Sequence, residues 1–318
     1  MTGPLISVVV PFWNRRAYLA TAISSIVSTR YARLEILAVD DGSTDGAAEV
    51  AGALRDQGAP VRILSHPGNG HRGIAATRNL GLTEARGELI AFLDSDDAFL
   101  PWRFDVCVPH LLRNDRLIAT YEPVRTAGSA AFDDLLAQGH DLAEASTLLP
   151  PTGVFEPDRL LDALLGGANL WWLMPGVLLR REAVEAIGLF ETSLPVAEDT
   201  NYWVRLAASS RVACAQDGRA VALVRLHDDQ SWSAVRGSQY HLLFLKALKT
   251  CLCRVPHGAR RRIRDYLSWH FHDALQRYAN SGQTDEARRL VRGAIRVEPA
   301  LLSQRRTLSA LYRLLLRR

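Results

Sequence analysis

Apolar residues in the first hundred positions fall into short continuous runs, separated by stretches in which they recur every three or four residues. Continuous apolar runs bounded by turn residues mark buried strands, and the three-and-four spacing marks amphipathic helices. The pattern predicts strands at Ile6 to Phe12, Leu34 to Asp40, Val61 to Ser65 and Leu89 to Leu93. Helices are predicted between them at Arg16 to Ser28, Ala47 to Gln57 and Ile74 to Ala85. Such alternation is the signature of a doubly wound, mostly parallel α/β sheet flanked by helices. Each strand runs into a polar or glycine-rich segment, and open sheets of this kind bind ligands at the carboxyl ends of their strands.

The pattern weakens past Asp97. A helix is expected over Trp102 to Arg113 and a strand over Leu117 to Val124, while Arg125 to Pro157 shows little periodicity and reads as a variable loop region. A strand at Val177 to Leu179, helices at Glu182 to Ile187 and Glu198 to Ala208, and a strand near Val221 to Leu226 follow. After Gln239 only helical spacing remains, broken at Ser281 and Gly282 and stopped at Pro299. Tyr278 to Pro299 has the spacing of part of one tetratricopeptide-like hairpin. A single such unit cannot bury its own apolar face, so a plain helical bundle is the expectation.

Charge changes the picture more than composition does. The chain of 318 residues carries a net charge of +4, but residues 239–318 hold 17 Lys and Arg against 5 Asp and Glu, or +12, which leaves −8 for residues 1–238. This asymmetry predicts two regions, 1–238 and 239–318, with different partners. The basic helical region suits an anionic membrane surface or an acidic protein, and Lys246, Lys249, Arg260, Arg261, Arg262 and Arg264 are the expected contacts. No nucleic acid is expected. The four cysteines, Cys107, Cys214, Cys251 and Cys253, are too scattered for a disulfide framework. Met1 to Val10 lacks the features of a signal peptide, and no run approaches the ~18 apolar residues of a membrane span. A cytoplasmic protein, or one peripheral at the inner face of the membrane, is the expectation.

Four polar clusters carry candidate chemistry. Asp40 and Asp41 close the second strand in V-D-D-G-S-T-D, where a carboxylate suits the imide N–H of a pyrimidine base or a ribose hydroxyl, although Ser43 and Asp45 also fit a helix cap. The loop His66 to Gly73 is glycine-rich and leads into a helix that bears Arg78 and Asn79, a setting that suits phosphate or a simple turn. Asp94, Ser95, Asp96 and Asp97 follow the fourth strand, and three carboxylates in four residues repel one another unless a cation such as Mg²⁺ or Mn²⁺ neutralises them. Glu198 and Asp199 open a helix, where they suit capping or a general base for a sugar hydroxyl. His227 follows an apolar strand and suits either a structural or a ligand role.

With these clusters the chain resembles the family 2 inverting glycosyltransferases of the GT-A fold. The matching segments are S-V-V-V-P-F-W-N (Ser7 to Asn14), Val39 to Asp45, A-T-R-N-L-G (Ala76 to Gly81), G-E-L-I-A-F-L-D-S-D-D (Gly87 to Asp97), Gly188 to Phe190 and Glu198 to Arg205. The resemblance implies that residues 1–238 form a nucleotide-sugar-binding catalytic domain. It implies donor contacts from Pro11, Phe12, Asn14, Asp40, Asp41, Arg78, Asp94 and Ser95, with a UDP-sugar as the expected donor. Asp94 and Asp96 match the D-x-D pair, so they, with Asp97 and His227, are the implied metal ligands for Mg²⁺ or Mn²⁺, and Asp199 matches the catalytic base. The implied reaction moves a sugar, with inversion, to a hydroxyl of a glycan or lipid-linked acceptor. Trp171 and Trp172 suit sugar stacking or plain packing. Two other readings stay open: a sugar-phosphate nucleotidyltransferase, against which stands the absence of a glycine-rich basic loop after the first strand, and a noncatalytic assembly protein acting through its helical tail.

Overall fold

The computed structural model describes residues 3–138, 152–166, 173–214, 219–227, 235 and 237–303. Strands β1 (Ile6–Phe12), β2 (Leu34–Asp40), β3 (Val61–Ser65) and β4 (Leu89–Phe92) lie in the order β3-β2-β1-β4, all parallel. Helices α1 (Arg16–Val27), α2 (Ala47–Asp56) and α3 (Ile74–Glu84) connect them, so these elements match the predicted bounds to within one residue. Every residue of β1 is buried, which accounts for its unbroken apolar run. β1 pairs with β2 as far as Phe12, but with β4 only as far as Val9. Pro11, which has no N–H to give, stands beyond the end of the β4 ladder. The two strands part there, and the chain has left β1 on one side for β2 and returned on the other as β4. This is the switch point at which a doubly wound sheet opens a crevice.

Beyond β4 the sheet becomes mixed. β9 (Val177–Arg180) lies antiparallel between β4 and β6 (Ala119–Tyr121), followed by β10 (Val212–Cys214) and the antiparallel edge β8 (Gly153–Phe155), which completes eight strands. A second sheet joins β5 (Ala98–Phe99), β11 (Ala222–Leu226) and β7 (Arg125–Gly128). Here the structure corrects the expectation of a loop over Arg125 to Pro157: β7, α5 (Ser129–Gln138) and β8 occupy much of it, and residues 139–151 lie outside the described ones. β7 is held by register with β11, almost a hundred residues away, and no local periodicity can report that pairing. The expected helix over Trp102 to Arg113 is also shorter, α4 (Cys107–Arg113). The fully buried Arg103 ties the preceding turns elsewhere, donating to the Val177 carbonyl at 2.8 Å and lying over the rings of Phe99 and Phe104. Only Ala119–Tyr121 of the expected strand over Leu117 to Val124 is β-structure.

Helices α6 (Pro157–Leu165), α7 (Arg181–Ile187) and α8 (Glu198–Ser209) precede the C-terminal α9 (Ser238–Cys251), α10 (His257–Asn280) and α11 (Thr284–Val297). α9 packs on α8 and α11, and α10 packs on α9, α11 and α6. One buried apolar cluster runs from Val9 and Phe92 through Trp203 to Leu245, Leu267 and Leu290. Gly282, at φ +73°, supplies the left-handed residue in the break between α10 and α11. Among the described residues, no helix is long and apolar enough to cross a membrane.

Candidate active site

The crevice is lined first by the ends of β1 and β2. Asp40 is buried and its Oδ1 accepts the Ser43 N–H at 2.8 Å, closing the turn through Gly42, whose φ is +81°. Any side chain on Gly42 would also meet the Asn69 carbonyl oxygen, 2.7 Å from where a Cβ would stand. Asp41 is buried too, and its carboxylate accepts the N–H groups of Arg72 at 2.6 Å and Gly73 at 2.9 Å, with His71 Nδ1 also 2.9 Å away. The glycine-rich loop is thus folded onto Asp41. Asn14, at φ +51°, fastens β1 to the same turn, its Oδ1 accepting the Thr44 N–H at 2.8 Å.

One of the expected donor contacts from β1 is placed differently by the structure. The Phe12 side chain belongs to the apolar core, because it continues the inward face of a strand buried on both sides. Trp13, which sequence reasoning passed over, is 48% exposed and its ring lies 4.3 Å from that of His71. An aromatic residue one step past the end of a buried strand, followed by Asn, was the signal available.

Arg78 forms the centre of the second half of the site. It projects from α3, is buried, and donates from Nη1 to Glu198 Oε1 at 2.6 Å and from Nη2 to Asp94 Oδ1 at 2.7 Å. Burial opposes its charge, but the carboxylates of Asp94 and Glu198 outweigh burial and hold its pKa above the ordinary value. Sequence reasoning placed Arg78 on the nucleotide. The structure places its guanidinium between two acids, one after β4 and one at the start of α8.

The loop from Phe190 to Asp199 is pinned from several sides. Asn79 donates to the Phe190 carbonyl at 3.0 Å and accepts its N–H at 2.8 Å. Arg205 donates to the carbonyls of Ile187 and, at 2.8 Å, Leu189, and the Phe190 ring stacks on Tyr202 at 4.0 Å. Ala197, just before the acids, is held at φ +64°, which costs a non-glycine residue about 1–2 kcal/mol. Strain of this kind is kept where the surroundings over-determine the backbone. Burial, then the neighbouring Asp199 charge, lift the Glu198 carboxyl to about 7 against the pull of Arg78. Burial also raises Asp199, opposed by Arg78 and by the Thr200 N–H that it accepts at 2.6 Å.

The remaining acids differ in setting. Asp96 Oδ2 lies 2.9 Å from His227 Nε2 and 3.8 Å from Arg15 Nε, and Tyr18 stacks on the His227 ring at 5.4 Å. Asp97 is buried, accepts the Arg225 N–H at 3.0 Å, and is pushed well up by burial and by Asp96 and Asp94, so it serves the junction with β11. Ser95 is buried between them. No three His, Cys, Asp or Glu side chains converge on one point among the described residues. Asp96 and His227 nevertheless fit a divalent cation: they are a carboxylate and an imidazole in contact, and His227 Nδ1 is buried with no partner among the described residues. Mg²⁺ and Mn²⁺ sites commonly take only one or two protein ligands and complete the shell with water and phosphate. Beside them lies an open recess of about 580 Å³ lined by Asn14, Arg15, Arg16, Ala17, Tyr18 and Asp45. Trp171 and Trp172 lie outside the described residues.

Residues 7–143 match the family model Glycosyl transferase family 2. The match covers 137 of the 318 residues, and over that part the chain is similar to this family. An uncharacterized glycosyltransferase of Haemophilus influenzae is 36% identical over 135 residues, covering 42% of this chain and 50% of that protein. Glycosyltransferase GlyG of Streptococcus pneumoniae is 43% identical over 93 residues (29% of this chain, 30% of that one), and the chondroitin synthase of Pasteurella multocida is 33% identical over 143 residues (45% and 14%). The chain thus spans half or less of the length of these curated relatives. Among solved structures, Staphylococcus aureus TarS 1–349 in complex with UDP-GlcNAc superposes with a TM-score of 0.69 at 16% identity, covering 97% of this chain and 88% of that one. The mannosyltransferase PcManGT of Pyrobaculum calidifontis, in complex with GDP-Man and Mn²⁺, gives 0.56 at 17% identity (99% and 86%). The fold of the chain is the GT-A fold. Glu198, Asp199 and His227 lie beyond the residues the family model matches, so their roles rest on the geometry above.

Proposed function

We propose that this glycosyltransferase moves a sugar, with inversion, from a nucleoside diphosphate donor to a hydroxyl of a glycan or lipid-linked acceptor. The observation that carries the reading is the Asp94–Arg78–Glu198 bridge, which sets the acids after β4 and the Glu198–Asp199 pair across one crevice. On one side Asp41, Trp13 and the turn of Gly42 offer a base-reading corner: a buried carboxylate and an exposed indole. A UDP donor is favoured by the TarS complexes with UDP and UDP-GlcNAc, although the PcManGT complex holds GDP-Man. Asp96 and His227 would hold Mg²⁺ or Mn²⁺, which supplies positive charge to the diphosphate as it leaves. Arg15 stands next to Asp96 on the same side.

On the other side Asp199 takes the proton. The acceptor oxygen bonds to the anomeric carbon on the face opposite the diphosphate, its hydrogen passes to the Asp199 carboxylate, and the bond to the diphosphate oxygen breaks with its electron pair. Raised by burial, the Asp199 carboxyl is a stronger base than an ordinary carboxylate, as proton transfer from a hydroxyl requires. Asp199→Asn should keep the fold and the thermal shift given by UDP with Mn²⁺, while turnover falls by about 10²–10⁴. Transfer near the wild-type rate by that variant, or a product whose anomeric configuration by NMR matches the donor's, would refute the assignment. Relatives named for chondroitin and hyaluronan synthesis favour a growing polysaccharide as the acceptor.

A further inference from the structure

The C-terminal helices bring a row of aromatic side chains to the acceptor side of the crevice. Asn201, two positions past Asp199, donates to the Ala247 carbonyl and to Thr250 Oγ1, both at 2.9 Å, which docks the start of α8 against α9. Tyr240 lies about two turns before Ala247 on the same face of α9. From Tyr240 the rings follow one another from α9 to α10. Tyr240 stacks towards Phe244 at 6.4 Å, Phe244 meets Tyr266 of α10 edge-on at 6.3 Å, and Tyr266 stacks on Trp269 at 5.4 Å and 24°. Phe244 is buried between the half-buried Tyr240 and Tyr266, and Trp269 beyond Tyr266 is 48% exposed. After burial, the Asp199 carboxylate and then Tyr266 raise the Tyr240 phenol, so the Tyr240 end of the row stands within the field of the proposed base.

Rings that merely fill a core would have their polar edges bonded or buried against apolar groups. Here neither phenol hydroxyl, of Tyr240 or Tyr266, nor the Trp269 indole N–H has a hydrogen-bond partner among the described residues. Flat faces edged by free donors match a pyranose, which offers axial C–H groups to a ring and equatorial hydroxyls to its rim. A lipid tail would use the faces and leave the three polar groups unpaired.

We infer that Tyr240, Tyr266 and Trp269 form a platform on which the sugar units of a saccharide acceptor lie, with the reacting hydroxyl presented to Asp199. The inference rests on the reading of Asp199 as proton acceptor. The acceptor would enter across α9 and α10, outside the part of the chain that the family model matches.

The test uses the full chain, with UDP and Mn²⁺ present, on a printed array of gluco-, galacto-, manno- and N-acetylglucosamine oligosaccharides. Thermal shift with UDP and Mn²⁺ is run in parallel. Wild type should retain at least one oligosaccharide class. Trp269→Ala and Tyr266→Ala should each weaken it by about tenfold or more, as truncation of an aromatic anchor does. Trp269→Phe, which keeps a flat face, should restore most of the binding. Trp269 is about half exposed and lies outside both apolar core clusters, so its truncation leaves the core intact even if the Tyr266 variant folds poorly. Three results would overturn the platform: equal oligosaccharide binding by Trp269→Ala, no oligosaccharide binding by a wild type that responds to UDP, or capture by polyprenyl-phosphate vesicles in place of oligosaccharides. A wild type with no thermal response to UDP and Mn²⁺ would instead sink the UDP-donor reading, and the array would still judge the platform.

Discussion

Arg78 is the residue on which most of the site turns. Its guanidinium compensates two acids at once, and removing one member of a buried ion pair leaves the others unpaired, at about 3–5 kcal/mol. Arg78→Met should therefore lower stability by about that much in urea melts, and Arg78→Lys should rescue it poorly, because a single ammonium cannot reach both carboxylates as a planar fork does. Glu198 gives a pH signature. Its carboxyl is raised from 4.5 to about 7, so between those values the folded chain keeps a proton that the unfolded chain has lost. Its contribution to stability is complete below 4.5 and is lost as pH rises through about 7. Activity should move the other way, since Asp199, as the proposed base, acts only once it has shed its own proton: kcat should climb along an acid limb above the ordinary carboxylate range, and Glu198→Gln, which removes a neighbouring negative charge, should shift that limb to lower pH. Residue types and order made the acids legible in the sequence. Their partners were not, because Arg78 and Glu198 stand 120 positions apart and no spacing rule joins them.

At the scale of elements, α3 shows how tightly the nucleotide half is assembled. Gly81 sits against β1, where a Cβ would lie 2.4 Å from Val9 Cγ1, and that contact lets the helix carry Arg78 close to the sheet. Gly81→Ala would overpack the contact, and a loss of about 1–3 kcal/mol in denaturant melts is expected, with donor affinity falling as Arg78 is lifted away from Asp94. The parallel half of the fold was legible because β1, β2 and β4 are buried on both faces and every strand is bounded by polar turns. The far half was not: β6, β8 and β10 are each three residues long, too short to show a period, and β7 owes its existence to β11. Tertiary pairing decides such segments.

The whole molecule is divided by charge at 238/239, while its apolar core crosses that boundary. Part of the basic excess is used within the chain. Lys246 donates to the Ser193 carbonyl at 2.7 Å, Lys249 pairs with Glu298, and Arg262 reaches Asp158 and Asp162. Of the contacts expected from sequence, Arg261 and Arg264 stay exposed, as do Arg288, Arg289, Arg292 and Arg296 of α11. If an acidic surface is the partner, vesicles rich in anionic lipid should float the protein at low salt, with each exposed arginine near the surface worth about 1 kcal/mol. Flotation should fail at high salt and weaken when Arg288, Arg289 and Arg292 are changed to Gln. A protein that stays at the bottom of the gradient at low salt would remove the lipid partner. The bridge through Arg78 has a consequence that spans both halves of the crevice. Asp94 and Glu198 draw on one cation, so whatever engages Asp94 more strongly leaves more of the guanidinium to Glu198 and eases the release of its proton. Thermodynamic reciprocity then requires the converse: losing that proton must change, by the same factor, the affinity of the ligand at Asp94. Filling the nucleotide side and readying the acceptor side are two readings of one equilibrium.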